Sequence, residues 1–163
     1  MSTQLQPNLS LRPMHMGDLD TIMQIEPTIY SHPWTRGNFS DSLNSGYSAW
    51  ILKDTVMEDK AEMIGYALMM MVMDEAHLLN LGVAKQRQKQ GLGRYLLEHM
   101  IALAKRHKAA NMFLEVRPSN ISAIALYENM GFCEMAVRRG YYPADPTISK
   151  TGREDAVLMG LAL

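Results

Sequence analysis

"RQKQGLGR", Arg87 to Arg94, is the stretch on which the reading of this chain turns. Long polar side chains run into Gly91 and Gly93, and a helical pattern follows at once. Leu92, Leu96, Met100, Leu103 and His107 line one stripe, with Leu97, Ile101 and Ala104 beside it. A helix beginning near Gly91 presents unpaired amide donors and the positive end of its dipole, and the missing side chains let an anion approach the backbone. Arg87, Lys89 and Arg94 add positive charge locally. The stretch is therefore a candidate phosphate cradle; the plain alternative is an exposed loop with an ordinary glycine helix start.

Three cradles compete. A nucleoside-triphosphate loop needs Lys and then Ser or Thr after its last glycine, but Arg94 and Tyr95 follow Gly93. A dinucleotide fingerprint needs a third glycine where Leu96 stands, and a buried strand directly before the first, where six polar residues separate Ala84 from Gly91. Glu115 falls roughly twenty residues on, as a ribose-binding acid would, without repairing either defect. The third reading is a pyrophosphate site for a coenzyme A thioester.

Outward from the cradle the chain alternates strands and helices. Upstream, "LSLRPM" (Leu9 to Met14) reads as a strand, followed by a helix through Leu19, Ile22, Met23 and Ile25 that Pro27 is expected to end. Thr35 is expected to cap a second helix, with Phe39 and Leu43 on one face and Gly46 closing it. Ser48 to Lys53 and Glu62 to Met73 read as a hairpin around a charged turn at Glu58 to Lys60, and Ala76 to Ala84 as a third strand after a turn at Asp74 and Glu75. Downstream come a strand at Met112 to Val116 and a helix stopped at Gly131, a natural left-handed cap. "CEMAVRR" and "EDAVLMGLAL" supply closing strands, with "GYYPADPTISKTGR" as the loop between them. The fold class is α/β: antiparallel N-terminal strands, then a parallel β-α-β centre with a right-handed crossover.

Composition narrows the function. At 163 residues and 47% hydrophobic, residues 1–163 are expected to form one domain. Sixteen basic and seventeen acidic residues leave a formal charge of −1, which gives no electrostatic case for nucleic acid or an anionic membrane. Cys133 is alone, so it forms no internal disulfide and no metal pair, and an inert buried thiol is expected; the histidines show no metal-ligand spacing. The N-terminus lacks a signal-peptide pattern, and "ALMMMVM" (Ala67 to Met73) is too short to span a bilayer, so cytoplasmic residence is expected; a monomer is the separate default expectation. Fifteen methionines read as soft core filler.

"Q-x-x-G-x-G" (Gln88 to Gly93), between a strand and a long helix, resembles the acetyl-CoA signature of the GCN5-related N-acetyltransferase (GNAT) superfamily. "HPWT", "NLGV", "KQGLGR", "LEVRPSN", "ALYENMGF", "RRGYYP" and "GREDA" together are similar to its RimI-type ribosomal-protein-alanine N-acetyltransferases. The resemblance covers nearly the whole chain. It implies acetyl-CoA as co-substrate and no metal, with Gln88, Lys89, Gln90, Gly91, Leu92, Gly93 and Arg94 around the pyrophosphate. It further implies splayed central strands, with Leu81, Gly82 and Val83 offering backbone groups to the pantetheine arm; Gly82, with no side chain to pack, is compatible with such an opening.

Making an amide from a thioester requires a neutral amine and a proton for the leaving thiolate, hence a base and an acid facing one point. Glu115 interrupts "MFLEV" in a strand expected to be covered on both faces, where burial would raise its pKa; otherwise it is a strand-end carboxylate that meets water or pairs with Arg117. Asn120, Ile124, Tyr127 and Gly131 share a helical stripe. The resemblance makes Glu115 the proton acceptor, Tyr127 the proton donor to the coenzyme A thiolate and Asn120 a cofactor contact. His77 is a possible alternative base, more ordinary as a bystander.

An α-amine with pKa near 7.8 is neutral in roughly a tenth of molecules at pH 7, against about one in 2,500 for a lysine near 10.4. A modest carboxylate base therefore suits a protein N-terminus. Trp34, Tyr141 and Tyr142, expected on two loops, could wall a groove for the peptide or simply anchor those loops. The resemblance implies the N-terminal alanine of small-subunit ribosomal protein eighteen as substrate. A lysine or small-amine acetyltransferase, and a non-catalytic acyl-CoA-binding or ribosome-associated module, remain alternatives.

Overall fold

The computed structural model describes residues 7–56, 59–147 and 149–163. Its strands are β1 (Leu9–Pro13), β2 (Ser48–Asp54), β3 (Glu62–Val72), β4 (Glu75–Val83), β5 (Asn111–Val116), β6 (Cys133–Pro143) and β7 (Arg153–Ala162). Its helices are α1 (Leu19–Ile29), α2 (Arg36–Asn44), α3 (Leu92–Arg106) and α4 (Ile121–Asn129). The strands form one sheet in the order β1-β2-β3-β4-β5-β7-β6. The chain groups into two compact units, Met1–Met69 with Asn80–Leu97, and Met70–Leu79 with Glu98–Leu163.

In the first unit β1 pairs antiparallel with β2 from Leu9↔Asp54 to Pro13↔Trp50, and β2 pairs antiparallel with β3 across a register shift at Leu52/Lys53. Thr35 caps α2 as its sequence indicates, its hydroxyl accepting from the Asn38 N–H at 3.1 Å. The core gathers Met14, Leu19, Ile22, Phe39, Ile51, Tyr66 and Leu68, with the Phe39 and Tyr66 rings edge to face at 5.8 Å. Pro27 does not end α1, which runs on to Ile29. A proline in the last turn removes a single N–H, and beyond it the Tyr30 N–H still bonds the Glu26 carbonyl at 3.2 Å.

The second unit holds the parallel step. β4 and β5 pair from Glu75↔Asn111 to Leu78↔Leu114, and there the pairing stops. β7 lies antiparallel between β5 and β6. The chain order of the last two strands hides this arrangement. α4 ends at Asn129, followed by Gly131 in a left-handed conformation, φ 98°.

Several boundaries differ from the sequence reading. β6 continues through Tyr141 and Tyr142 to Pro143, so the two tyrosines stand on a strand rather than in a loop. Gly140 does not break the strand: it sits in the register shift between Arg138 and Tyr142, its N–H held by the Asp155 carboxylate at 2.8 Å. Cys133 is exposed, because it opens a strand at the edge of the sheet instead of packing in the core. α3 stops at Arg106, leaving His107 exposed beyond it. The tight turn uses Met73, at φ 55°, and Asp74, while Glu75 already belongs to β4. Of the charged turn expected at Glu58 to Lys60, Glu58 lies outside the described residues.

Gly131 pairs its positive φ with a neighbour, Leu161 Cδ1, that an added Cβ would meet at 3.3 Å. Gly131→Ala is expected to lower unfolding free energy by about 1–3 kcal/mol. Urea denaturation measures this, and an unchanged midpoint contradicts it.

Candidate functional site

Within the first unit the cradle is built from a strand end, a turn and a helix start. After β4 a single 3₁₀ turn (Lys85–Arg87) leads to Lys89 at φ 62° and Gly91 at φ 79°, and α3 opens with the Tyr95 N–H on the Gly91 carbonyl at 3.1 Å. Gly91 is required by conformation, since a Cβ there would meet nothing within 4 Å. Among the described residues the amides of Lys89, Gln90, Gly91, Leu92 and Gly93 have no protein acceptor. A row of such donors at a helix start fits a pyrophosphate.

Lys89 and Arg94 are exposed beside these amides. Arg87 is otherwise engaged. Its guanidinium bonds Asp54 at 2.7 Å and Glu62 at 3.2 Å, and holds the Asp54 carboxyl below its usual value. Arg87 thus props the loop rather than adding free charge to it. Gln88 folds back, its amide donating to the Val83 carbonyl at 3.0 Å.

The end of β4 follows strand alternation. The Ala84 N–H bonds the Ile64 carbonyl of β3 at 2.9 Å, so the backbone groups of Gly82 face β3 while those of Leu81 and Val83 face away. Both outward carbonyls hold protein donors, the Tyr30 hydroxyl on Leu81 and Gln88 on Val83. Among the described residues the outward N–H groups of Leu81 and Val83 have no acceptor outside the strand ladders, and the β4–β5 ladder ends at Leu78, which leaves them open to a ligand. A Cβ at Gly82 would lie 2.7 Å from Tyr66 Cζ, so close packing of that ring, rather than strand opening, accounts for the glycine.

The second unit holds the acid and base candidates. On β5, Met112, Leu114 and Val116 are buried, whereas Asn111, Phe113 and Glu115 alternate on a half-open face. Glu115 is therefore not covered on both sides: its side chain is 26% exposed and meets Arg138 at 3.5 Å. Arg117 goes elsewhere, to the Pro143 carbonyl, to Glu154 at 3.5 Å and over the Tyr142 ring at 4.3 Å.

Tyr127 is buried on α4 against Phe132, the ring centres 5.7 Å apart. Among the described residues its hydroxyl has no hydrogen-bond partner, and burial pushes its pKa up to about 12. Tyr142 is likewise pushed up to about 12, by burial first and then by the charge of Glu115, with smaller contributions that include Tyr127. Carboxylate and both phenols thus share one electrostatic neighbourhood. Asn120 caps α4, its oxygen accepting from the Ala123 N–H at 3.2 Å, which leaves only its NH₂ for a ligand.

Tyr141 stands edge to face with Tyr142 at 4.9 Å, with Arg138 over its ring at 5.4 Å. Trp34, in the first unit, is half-buried edge-on to Phe39 at 5.1 Å, its N–H on Glu26 at 3.1 Å. His77 bonds Glu75 at 3.0 Å and tilts over the Phe113 ring. Among the described residues no cluster of His, Cys, Asp and Glu could hold a metal, and no helix is long and apolar enough to cross a membrane.

Sequence reasoning missed Arg138 beside Glu115, the Glu154–Arg117–Tyr142 stack, and Glu26. Only Glu26 left a signal. It falls on the apolar stripe of α1 with Leu19 and Ile22, where a carboxylate needs partners.

The Acetyltransferase (GNAT) family model matches residues 19–132. The [ribosomal protein bS18]-alanine N-acetyltransferase of Escherichia coli (strain K12) is 39% identical over 146 residues, 90% of this chain and 92% of that protein. The crystal structure of the E. coli ribosomal-protein-S18-alanine N-acetyltransferase superposes with a TM-score of 0.82 at 37% identity, covering 95% of this chain and 94% of its own. Arabidopsis thaliana NAA60, at 21% identity and TM-score 0.82 over 95% of this chain and 98% of its own, shares the fold.

Glu154 predicts a pH dependence. Burial alone would raise its pKa, but hydrogen bonds from Ser119 and Arg117 outweigh burial and hold it below the ordinary value of 4.5. A lowered folded-state pKa contributes stability above the unfolded value, and that stability is lost as pH falls through the folded one. Glu154→Gln is expected to flatten stability below pH 4.5. Thermal midpoints across acidic pH test this; an acid limb as steep as in the parent contradicts it.

Proposed function

The chain belongs to the Acetyltransferase (GNAT) family, and from that premise we propose that it acetylates the N-terminal alanine of ribosomal protein bS18 in the cytoplasm, as a single domain over residues 1–163. It is an acetyl-CoA-dependent N-acetyltransferase. The finer reading is supported by the E. coli relative, which acts on that alanine and aligns with 90% of this chain. The observation that carries the chemistry is Tyr127, a buried phenol kept protonated and without a protein partner among the described residues.

The thioester's pyrophosphate is held by the amides of Lys89 to Gly93 with Gln88, Lys89 and Arg94 around it, and its pantetheine arm pairs with the N–H groups of Leu81 and Val83. Gly82 keeps Tyr66 packed beneath that edge. Glu115 accepts a proton from the α-ammonium through water. The neutral nitrogen then bonds the acetyl carbon, and the carbon–sulfur bond breaks. Tyr127 gives its proton to the departing sulfur and regains one from the new amide nitrogen, so the step from the neutral amine is proton-neutral, and the proton that Glu115 took from the ammonium leaves to solvent. Asn120 offers its NH₂ to the coenzyme, Tyr141 and Tyr142 receive the first peptide residues, and Trp34 contributes to peptide binding from its own loop.

Tyr127→Phe is expected to lower kcat about a hundredfold or more, with KM for acetyl-CoA within about threefold. Glu115→Gln should also lower kcat, most strongly below the α-amine pKa of about 7.8. Steady-state kinetics on an alanine-initiated peptide test both, and normal turnover in either variant removes that residue's role. In the parent enzyme kcat/KM should rise through pH ~7.8 and then stay level, because Tyr127 ionises only at about 12. A descending limb near the ordinary tyrosine value of 10 would contradict the assignment.

A further inference from the structure

One buried carboxylate is unused by this chemistry. Glu26, 1% exposed in the last turn of α1, accepts hydrogen bonds from three elements. Its Oε2 takes the hydroxyl of Tyr66 on β3. Its Oε1 takes both the N–H of Trp34, in the loop before α2, at 3.1 Å, and the amide of Asn80, on β4, at 3.2 Å. Asn80 directly precedes the outward-facing Leu81, and the Tyr30 hydroxyl bonds the Leu81 carbonyl from the same α1–α2 connection.

The orientation of Asn80 is informative. Only its NH₂ can face a carboxylate oxygen, and that choice leaves its own buried Oδ1 without a hydrogen-bond partner among the described residues. The amide is thus oriented by the carboxylate it serves. Burial pushes the Glu26 carboxyl above its ordinary value, against the opposing hydrogen bonds of Tyr66, Trp34 and Asn80.

We propose that Glu26 is a positioning residue for the acceptor amine: its Oε1 ties Trp34, in the peptide-side loop, to Asn80, the strand residue before the acyl-donor edge. The inference rests on the reading of Trp34 and of Leu81 to Val83 given above. Oε2 serves a different purpose, anchoring Tyr66 in the core. The two oxygens divide one side chain between positioning and stability.

Three substitutions separate these roles. In Glu26→Gln one carbonyl oxygen can still accept from Trp34 and Asn80, while the phenol oxygen of Tyr66 accepts from the new amide. KM for the alanine peptide should stay within about threefold of the parent. Glu26→Leu keeps the volume and removes both acceptors, so peptide KM should rise about tenfold or more while KM for acetyl-CoA changes by less than about twofold. Tyr66→Phe deletes only the Oε2 contact; it should lower the thermal midpoint and leave peptide KM unchanged.

A readout independent of turnover accompanies the kinetics. Trp34 and Trp50 are the two tryptophans, so in a Trp50→Phe background acrylamide quenching reports on Trp34 alone. Quenching should increase in Glu26→Leu and not in Glu26→Gln or Tyr66→Phe. Equal quenching in all three, or peptide and acetyl-CoA KM rising together in Glu26→Leu, overturns the proposal. A parent enzyme inactive on the alanine peptide would count against the proposed substrate, while the quenching comparison would still decide whether Glu26 holds the loop.

Discussion

The parallel ladder between β4 and β5 ends at Leu78↔Leu114, and the rest of the site depends on that limit. β4 continues to Val83, and a strand that runs past its partner must satisfy its backbone groups in another way. Here side chains take the carbonyls: Tyr30 on Leu81 and Gln88 on Val83. The amides of Leu81 and Val83 stay outward, and those of Lys89 to Gly93 continue the same supply of donors into the start of α3. An extended thioester with a pyrophosphate at one end matches such a run of donors. Each is a backbone group, placed by φ/ψ rather than by side-chain identity.

The acid and base candidates obey a different logic, that of graded burial. Glu115 is half-open and meets Arg138 at 3.5 Å. Tyr127 is buried and keeps its proton to about pH 12. The supports lie one layer behind. Glu154 holds Arg117 and the Ser119 N–H, and Arg117 lies across the Tyr142 ring. Pairing a charged carboxylate with a neutral phenol is how one site offers both a proton acceptor and a donor at neutral pH.

Much of this was legible in the sequence, where local rules decide. The α2 cap at Thr35, the glycine stop at Gly131 and the long stripe of α3 each follow from a few adjacent residues. The glycine turn into α3 and its missing third glycine were equally plain. What sequence could not supply was pairing between distant segments. The place of β7 between β5 and β6, the extension of β6 through Tyr141 and Tyr142, and the exposure of Cys133 all follow from which strand lies at the sheet edge. Glu115 was misjudged for the same reason, because its half-open face is a property of the sheet. Arg87 was read as free charge because Asp54 and Glu62, its partners, lie more than twenty residues upstream.

Acetyl transfer to two peptides of identical internal sequence, each containing one lysine, tests the central claim most directly. One peptide has a free N-terminal alanine and the other is blocked there; mass spectrometry locates the added acetyl group. Modification of the free terminus alone, with the lysine untouched in both peptides, is the predicted result. Acetylated lysine in the blocked peptide, at a rate matching that of the free terminus, would contradict it and make the enzyme a side-chain acetyltransferase.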